Sequence, residues 1–243
     1  MIVACSAHPA AAEDKFEWSA TISGTSDYVF RGFSLTNDGP AVQASLDASY
    51  GNFYVGVFGT NIEDAGYEPV EMDLYTGIRP EWDAASFDLS IVWYTFPGAT
   101  PQPLGFQYVE LKAGVSVSPI KNLKINPVVW YIPSQTHAPE TVTLEGSLAY
   151  ELPAVPIGQP TFSVLLGYST ADDADAFAPG VDSYAYWNAG IELAIKKLTL
   201  DFRYWGTSIA GDEAANEFFE LAGDGEEGLA DDRFVFTVTC TLP

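Results

Sequence analysis

The sequence predicts an all-β fold, a single antiparallel up-and-down transmembrane β-barrel of about 12 strands. Three observations carry this. Apolar and polar residues alternate with a period of two through nearly the whole chain. Tight turns alternate with longer polar connections. No apolar run reaches the ~18–20 residues of a transmembrane helix, yet a closed barrel crosses a bilayer without one, because its strands satisfy every backbone group.

The first extended segment, 16–33, carries Ser26-Asp27-Tyr28-Val29-Phe30-Arg31-Gly32. Successive side chains alternate faces, so Asp27 and Arg31 share one side and Tyr28 and Phe30 the other. The second, 40–50, turns Val42, Ala44, Leu46, Ala48 and Tyr50 against Gln43, Ser45, Asp47 and Ser49. Segments 53–62, 70–79 and 86–96 follow. The sixth, 105–118, opposes Val109, Leu111, Ala113 and Val115 to Tyr108, Glu110, Lys112 and Gly114. After 122–132 and 140–150 comes the ninth, 160–170, where Leu165 interrupts the polar face. The tenth, 183–195, sets Trp187 and Ile191 against Tyr184, Tyr186 and Asn188. Segment 198–208 precedes the last, 232–242, which sets Phe234, Phe236, Val238 and Cys240 against Arg233, Val235, Thr237 and Thr239.

Periodicity alone does not choose the inner face; the connections do. Gly51-Asn52, 118–122 and Lys196-Lys197 are tight, 80–85 is modest, and 152–159 is longer and Pro-rich. The alternate connections, which include 171–182 and 209–231, hold no Lys or Arg on these boundaries. Short periplasmic turns and longer external loops are the habit of outer-membrane barrels. Aromatics near the strand ends, among them Trp18, Tyr28, Phe30, Tyr50, Trp93 and Phe234, suit interfacial girdles. Inverting the faces gives the alternative, a soluble periplasmic β-protein around an apolar ligand.

Net charge is -23, with 33 acids against 10 bases, which excludes nucleic acid as a partner because phosphates would find no counter-charge. Residues 1–12 read as the remainder of a secretory signal, with Ala10-Ala11-Ala12 as the cleavage site, leaving 13–243 as the barrel. Cys240 is then the sole thiol, and no internal disulfide forms.

Ser26-Asp27-Tyr28-Val29-Phe30-Arg31-Gly32-Phe33-Ser34, then Gly39-Pro40-Ala41-Val42-Gln43, then Asn52-Phe53-Tyr54-Val55-Gly56-Val57, resembles the opening of the TorF-like porins, the Gcw_chp family. The resemblance covers about the first quarter of the chain. It implies an outer-membrane β-barrel whose transported substrate is not established. The chain ends Thr241-Leu242-Pro243, whereas such barrels commonly finish on an aromatic residue.

With apolar faces toward lipid, charged strand residues point inward: Asp27, Arg31, Asp47, Glu71, Asp73, Arg79, Asp88, Glu110, Lys112, Lys124, Glu145, Glu192, Asp201, Arg203 and Arg233. The expected constriction lies near the outer mouth, where Arg31 and Arg233 would face Asp27, Glu71 and Asp73 and set up a transverse field. The bland counterpart is an ion-pair network that fills the barrel. Asp172, Asp173 and Asp175 are weak Ca²⁺ candidates, but they lack EF-hand spacing and read first as solvated loop acids. Residues 212–223 read as a short helix with Asp212 as N-cap and Gly223 as stop. His137 is the only histidine beyond the leader, and no glycine-rich phosphate loop, CxxC or HExxH accompanies it. No enzyme activity and no cofactor are expected. The function expected is passive, cation-preferring passage of small polar solutes across a bacterial outer membrane, with lipid and solute as partners. The alternative is a non-conducting structural, adhesive or partner-binding barrel.

Overall fold

The two-residue periodicity closes on itself. The computed structural model describes residues 15–63, 70–97, 107–136, 138–177, 180–209 and 228–243. Twelve long strands form the wall: β1 (Phe16–Thr25), β4 (Ala41–Tyr50), β5 (Phe53–Asn61), β6 (Val70–Ile78), β8 (Ala85–Thr95), β9 (Gln107–Ile120), β10 (Leu123–Ile132), β11 (Thr141–Glu151), β12 (Gln159–Ala171), β13 (Ser183–Ile195), β14 (Leu198–Thr207) and β15 (Arg233–Leu242). Each pairs antiparallel with its neighbours, and β15 returns to β1, so the wall has no free edge. Three two-residue strands complete the set. β7 (Glu81–Trp82) extends a turn, and β2 (Val29–Phe30) pairs with β3 (Phe33–Ser34) away from the wall.

The faces are those of a lipid-facing barrel. Leu46 is 53% exposed and Phe234 65%, and Phe53, Trp93, Leu166 and Ile191 also stand on the outside. Trp18, Tyr50, Tyr150 and Phe234 lie toward the strand ends, as the girdle reading requires. The charged positions of the same strands point inward: Glu71 and Asp73 on β6, Glu110 on β9 and Arg203 on β14 are buried. An apolar exterior around a charged interior inverts the soluble pattern.

The first strand departs from the sequence reading. It ends at Thr25 rather than continuing to residue 33. The connection 26–40 folds inward, and its hairpin β2–β3 turns on Arg31 and Gly32 with φ of 50° and 94°. Two successive positive φ angles suit a two-residue hairpin loop of the primed type, whose twist matches its strands. A Cβ on Gly32 would overlap Thr207 Cγ2 and crowd Tyr186, so close approach as well as φ calls for glycine there. Tyr28 and Phe30 are therefore not lipid anchors: Tyr28 is buried in the lumen and Phe30 packs against the same cluster. Arg31 becomes a base carried by a long connection, a class that the sequence reading had left without one. Residues 212–223 and His137 lie outside the described residues.

Candidate functional site

The hairpin crosses the barrel. It leaves the wall between β1 and β4, yet Arg31 Nη2 reaches Glu110 Oε1 on β9 at 2.7 Å. In the ring of twelve, β9 lies on the far side from β1, seven strands away in one direction and five in the other. The tip is held on all sides. Tyr184 donates its hydroxyl hydrogen to the Arg31 carbonyl at 3.0 Å, and Tyr94 donates to Glu110 Oε2 at 3.0 Å. The Arg31 guanidinium also lies 4.8 Å from the Phe30 ring centre and 5.3 Å from that of Trp130.

Apolar residues make the hairpin a wedge between two aromatic clusters. Tyr28 packs with Phe58, Tyr94 and Tyr108 on the β5–β9 side. Val29 and Phe33 pack with Tyr184, Tyr186, Trp205 and Val235 on the β13–β15 side. Leu165, the interruption in the polar face of β12, packs against this second cluster. A Cβ on Gly167 would run into the Tyr186 ring, so that tyrosine lies flat over the neighbouring strand.

The root of the hairpin is fastened by Asp27. Its Oδ1 accepts from Ser34 Oγ at 2.6 Å and Thr36 Oγ1 at 3.0 Å; its Oδ2 accepts from Arg233 Nη1 at 2.9 Å. Arg233 also pairs with Asp38 and donates through Nη2 to the Gly228 carbonyl at 2.6 Å. Ser34 N–H bonds the Leu229 carbonyl, tying the first long connection to the last. The sequence expectation that Arg31 faces Asp27, Glu71 and Asp73 is thus corrected. Arg233 takes Asp27, Arg31 takes Glu110, and no ion pair to Glu71 or Asp73 forms among the described residues. Tyr28 donates its hydroxyl to Glu71 Oε1 at 3.1 Å. Burial, reinforced by the Glu71 carboxylate, holds that hydroxyl well above its ordinary pKa, so it remains a donor.

Toward the short-turn end the lumen is more open. Lys112 Nζ meets Asp88 Oδ2 at 2.9 Å, Tyr54 donates to Asp88 Oδ1 at 2.7 Å, and Arg79 Nε lies 3.6 Å from Asp88. Tyr75 donates to Asp47. Level with the hairpin instead, Glu145 accepts from Trp130 Nε1 at 2.8 Å and from Tyr186 at 2.6 Å. On the opposite wall Arg203 bonds Asn188 at 2.7 Å, Ser163 at 3.0 Å and Asp201 at 3.0 Å, with Glu192 at 3.4 Å. Here the side chains of Arg79 and Glu192 are 33% and 34% exposed, whereas at the hairpin Asp73 is 0% and Glu110 1%. Charges pair between neighbouring strands on both of these walls, so neither is wholly basic or wholly acidic at this level.

Asp172, Asp173 and Asp175 are exposed and serve their own loop: Asp175 N–H bonds Asp173 Oδ1 at 3.1 Å and Gly180 N–H bonds Asp175 Oδ1 at 2.6 Å. No group of three or more His, Cys, Asp or Glu side chains placed to hold a metal occurs among the described residues. The signal for the in-folded hairpin was present but slight. Phe58, Val92, Leu165 and Val235 are apolar residues on inward faces, and three of them are buried under the hairpin's clusters while Leu165 packs beside them.

A family model described as "Bacterial protein of unknown function (Gcw_chp)" matches residues 9–242. No curated protein matches the sequence. Among solved structures the chain is similar to the NanC porin at 9% identity and a TM-score of 0.61, covering 92% of this chain and 100% of that one. A structure described under "Unveiling the Mechanism Behind the in-meso Crystallization of Membrane Proteins" shares 11% identity at a TM-score of 0.55, covering 93% and 83%. LpxR from Salmonella typhimurium follows at 10% and 0.46, covering 92% and 99%. At these identities the likeness to the first two is one of fold, that of outer-membrane barrels.

Proposed function

We propose that this chain, which belongs to the Gcw_chp family of bacterial proteins of unknown function, is a channel of the TorF-like porin kind in a bacterial outer membrane. Residues 1–12 are a leader removed on export, and 13–243 form the barrel. Small polar solutes pass without energy input, cations in preference, and the connection 26–40 forms the narrowest section. The observation that carries this reading is the gradient of exposure along the lumen, from solvent-accessible charges at the short-turn end to a section closed by one hairpin. The apolar exterior supplies the membrane setting. Cation preference rests on the charged side chains pointing inward from the strands, the first connection and the turn after β6, nine acids against six bases, and on long connections in which Arg31 is the only base.

Reconstitution in planar bilayers tests it. Small single-channel steps are expected, with a reversal potential under a salt gradient displaced toward the cation. The second reading, a non-conducting barrel, is favoured by the complete enclosure of Asp73 and Tyr186 beside the hairpin. Silence at every voltage, both in the wild type and in a variant whose hairpin latch is broken, would establish that reading and retire the channel.

A further inference from the structure

Glu71 and Asp73 take no part in the ion pairs that hold the hairpin, Glu71 accepting only from the Tyr28 hydroxyl, and their surroundings suit a ligand of their own. The two residues lie two apart on β6, so both side chains point from the strand's inner face in the same direction. Register places Asp73 between Phe58 on β5 and Tyr94 on β8. Asp73 is wholly buried, and neither of its oxygens meets a donor among the described residues. The nearby bases are committed elsewhere, Arg31 to Glu110 and Arg233 to Asp27 and Asp38. Two adjoining acids would be unremarkable on a wet surface. Enclosed by aromatic rings with no base, they demand a counter-charge, because a bare buried carboxylate costs several kcal/mol.

We propose that Glu71 and Asp73 hold a single hard divalent cation, Ca²⁺ or Mg²⁺, between their carboxylates, with the Tyr28 phenol oxygen as a third ligand. Carboxylate and phenol oxygens are hard donors, and two acids balance a divalent charge. The ion would tie β6 to the root of the in-folded hairpin through Tyr28. The rival occupant is a shared proton.

Terbium luminescence separates the two. The full-length barrel, purified in detergent and stripped of metal, is titrated with Tb³⁺ at neutral pH while its tyrosines are excited. Sensitised emission that excess Ca²⁺ displaces is expected, since Tyr28 and Tyr94 adjoin the site. Asp73→Asn should lose that emission, and Asp172→Asn in the exposed loop should keep it. Folding of each variant is checked by the altered migration of unboiled barrel on a detergent gel; if Asp73→Asn fails that check, Glu71→Gln gives the same reading. Emission unchanged in a folded Asp73→Asn or Glu71→Gln barrel, or no displaceable emission from the folded wild type, overturns the site and leaves the pair to a proton. No step requires conduction, so the binding site and the channel reading fail separately.

Discussion

Glu110→Gln removes one charge from a pair that is almost fully withdrawn from water. Arg31 is 9% exposed and Glu110 1%, and their 2.7 Å contact lies across the lumen. Glutamine keeps the shape and still accepts from Tyr94, so the principal loss is the counter-charge of the guanidinium. Breaking one side of a buried ion pair costs about 3–5 kcal/mol, because the remaining charge stays desolvated. Arg31 sits at a hairpin tip rather than in the wall, so it can escape that cost by leaving the lumen. At about 1.4 kcal/mol per factor of ten, the balance between packed and released hairpin shifts by roughly two to three and a half orders of magnitude. The readouts are single-channel conductance, expected to rise, and urea unfolding in lipid vesicles, expected to show lower stability. Adding Arg31→Met removes the stranded cation while keeping an apolar side chain against Phe30 and Trp130. The double variant should therefore recover most of the loss, since an apolar replacement of a buried pair is often neutral. A Glu110→Gln barrel with unchanged conductance and stability would refute the view that this pair holds the hairpin in.

Three further outcomes are expected. Gly32→Ala must place a Cβ against Thr207 and keep a φ of 94°, so it should destabilise the hairpin by about 1–3 kcal/mol and raise conductance as the latch variant does. Leu46→Arg sets a guanidinium on the outer face midway along β4, and vesicle unfolding should show a loss of about 2–4 kcal/mol, whereas Ser45→Arg on the inner face should cost much less. Asp88→Asn leaves Lys112 without its carboxylate partner and weakens the anionic field beside Arg79, so the reversal potential under a salt gradient should move toward the anion.

How much of this was legible follows from the range over which each feature is encoded. In Val42–Tyr50 the alternation is local, and adjacent side chains suffice to mark both faces. The same holds for the tight turns at 51–52 and 196–197, which set the register of the strands they join. Arg31 and Glu110 are 79 residues apart in sequence, and nothing near either residue names the other. The Arg31-Gly32 turn lacks the usual Asn-Gly or Asp-Gly pair, and its flanks continue the polar–aromatic alternation of β1, so a turn back into the lumen read as more strand.

The sequence by itself determined the barrel class, a wall of about twelve strands and the two faces of its regular strands, because a period of two and alternating turn lengths are properties of neighbours along the chain. Only the tertiary structure decided that residues 26–40 enter the lumen, that Arg31 latches on Glu110, and that Glu71 and Asp73 are left without a base. Those depend on ring closure, which brings the β1–β4 seam opposite β9 and turns distant inward faces into one packed interior. A strand pattern records which way a side chain points and is silent on what fills the space it points into.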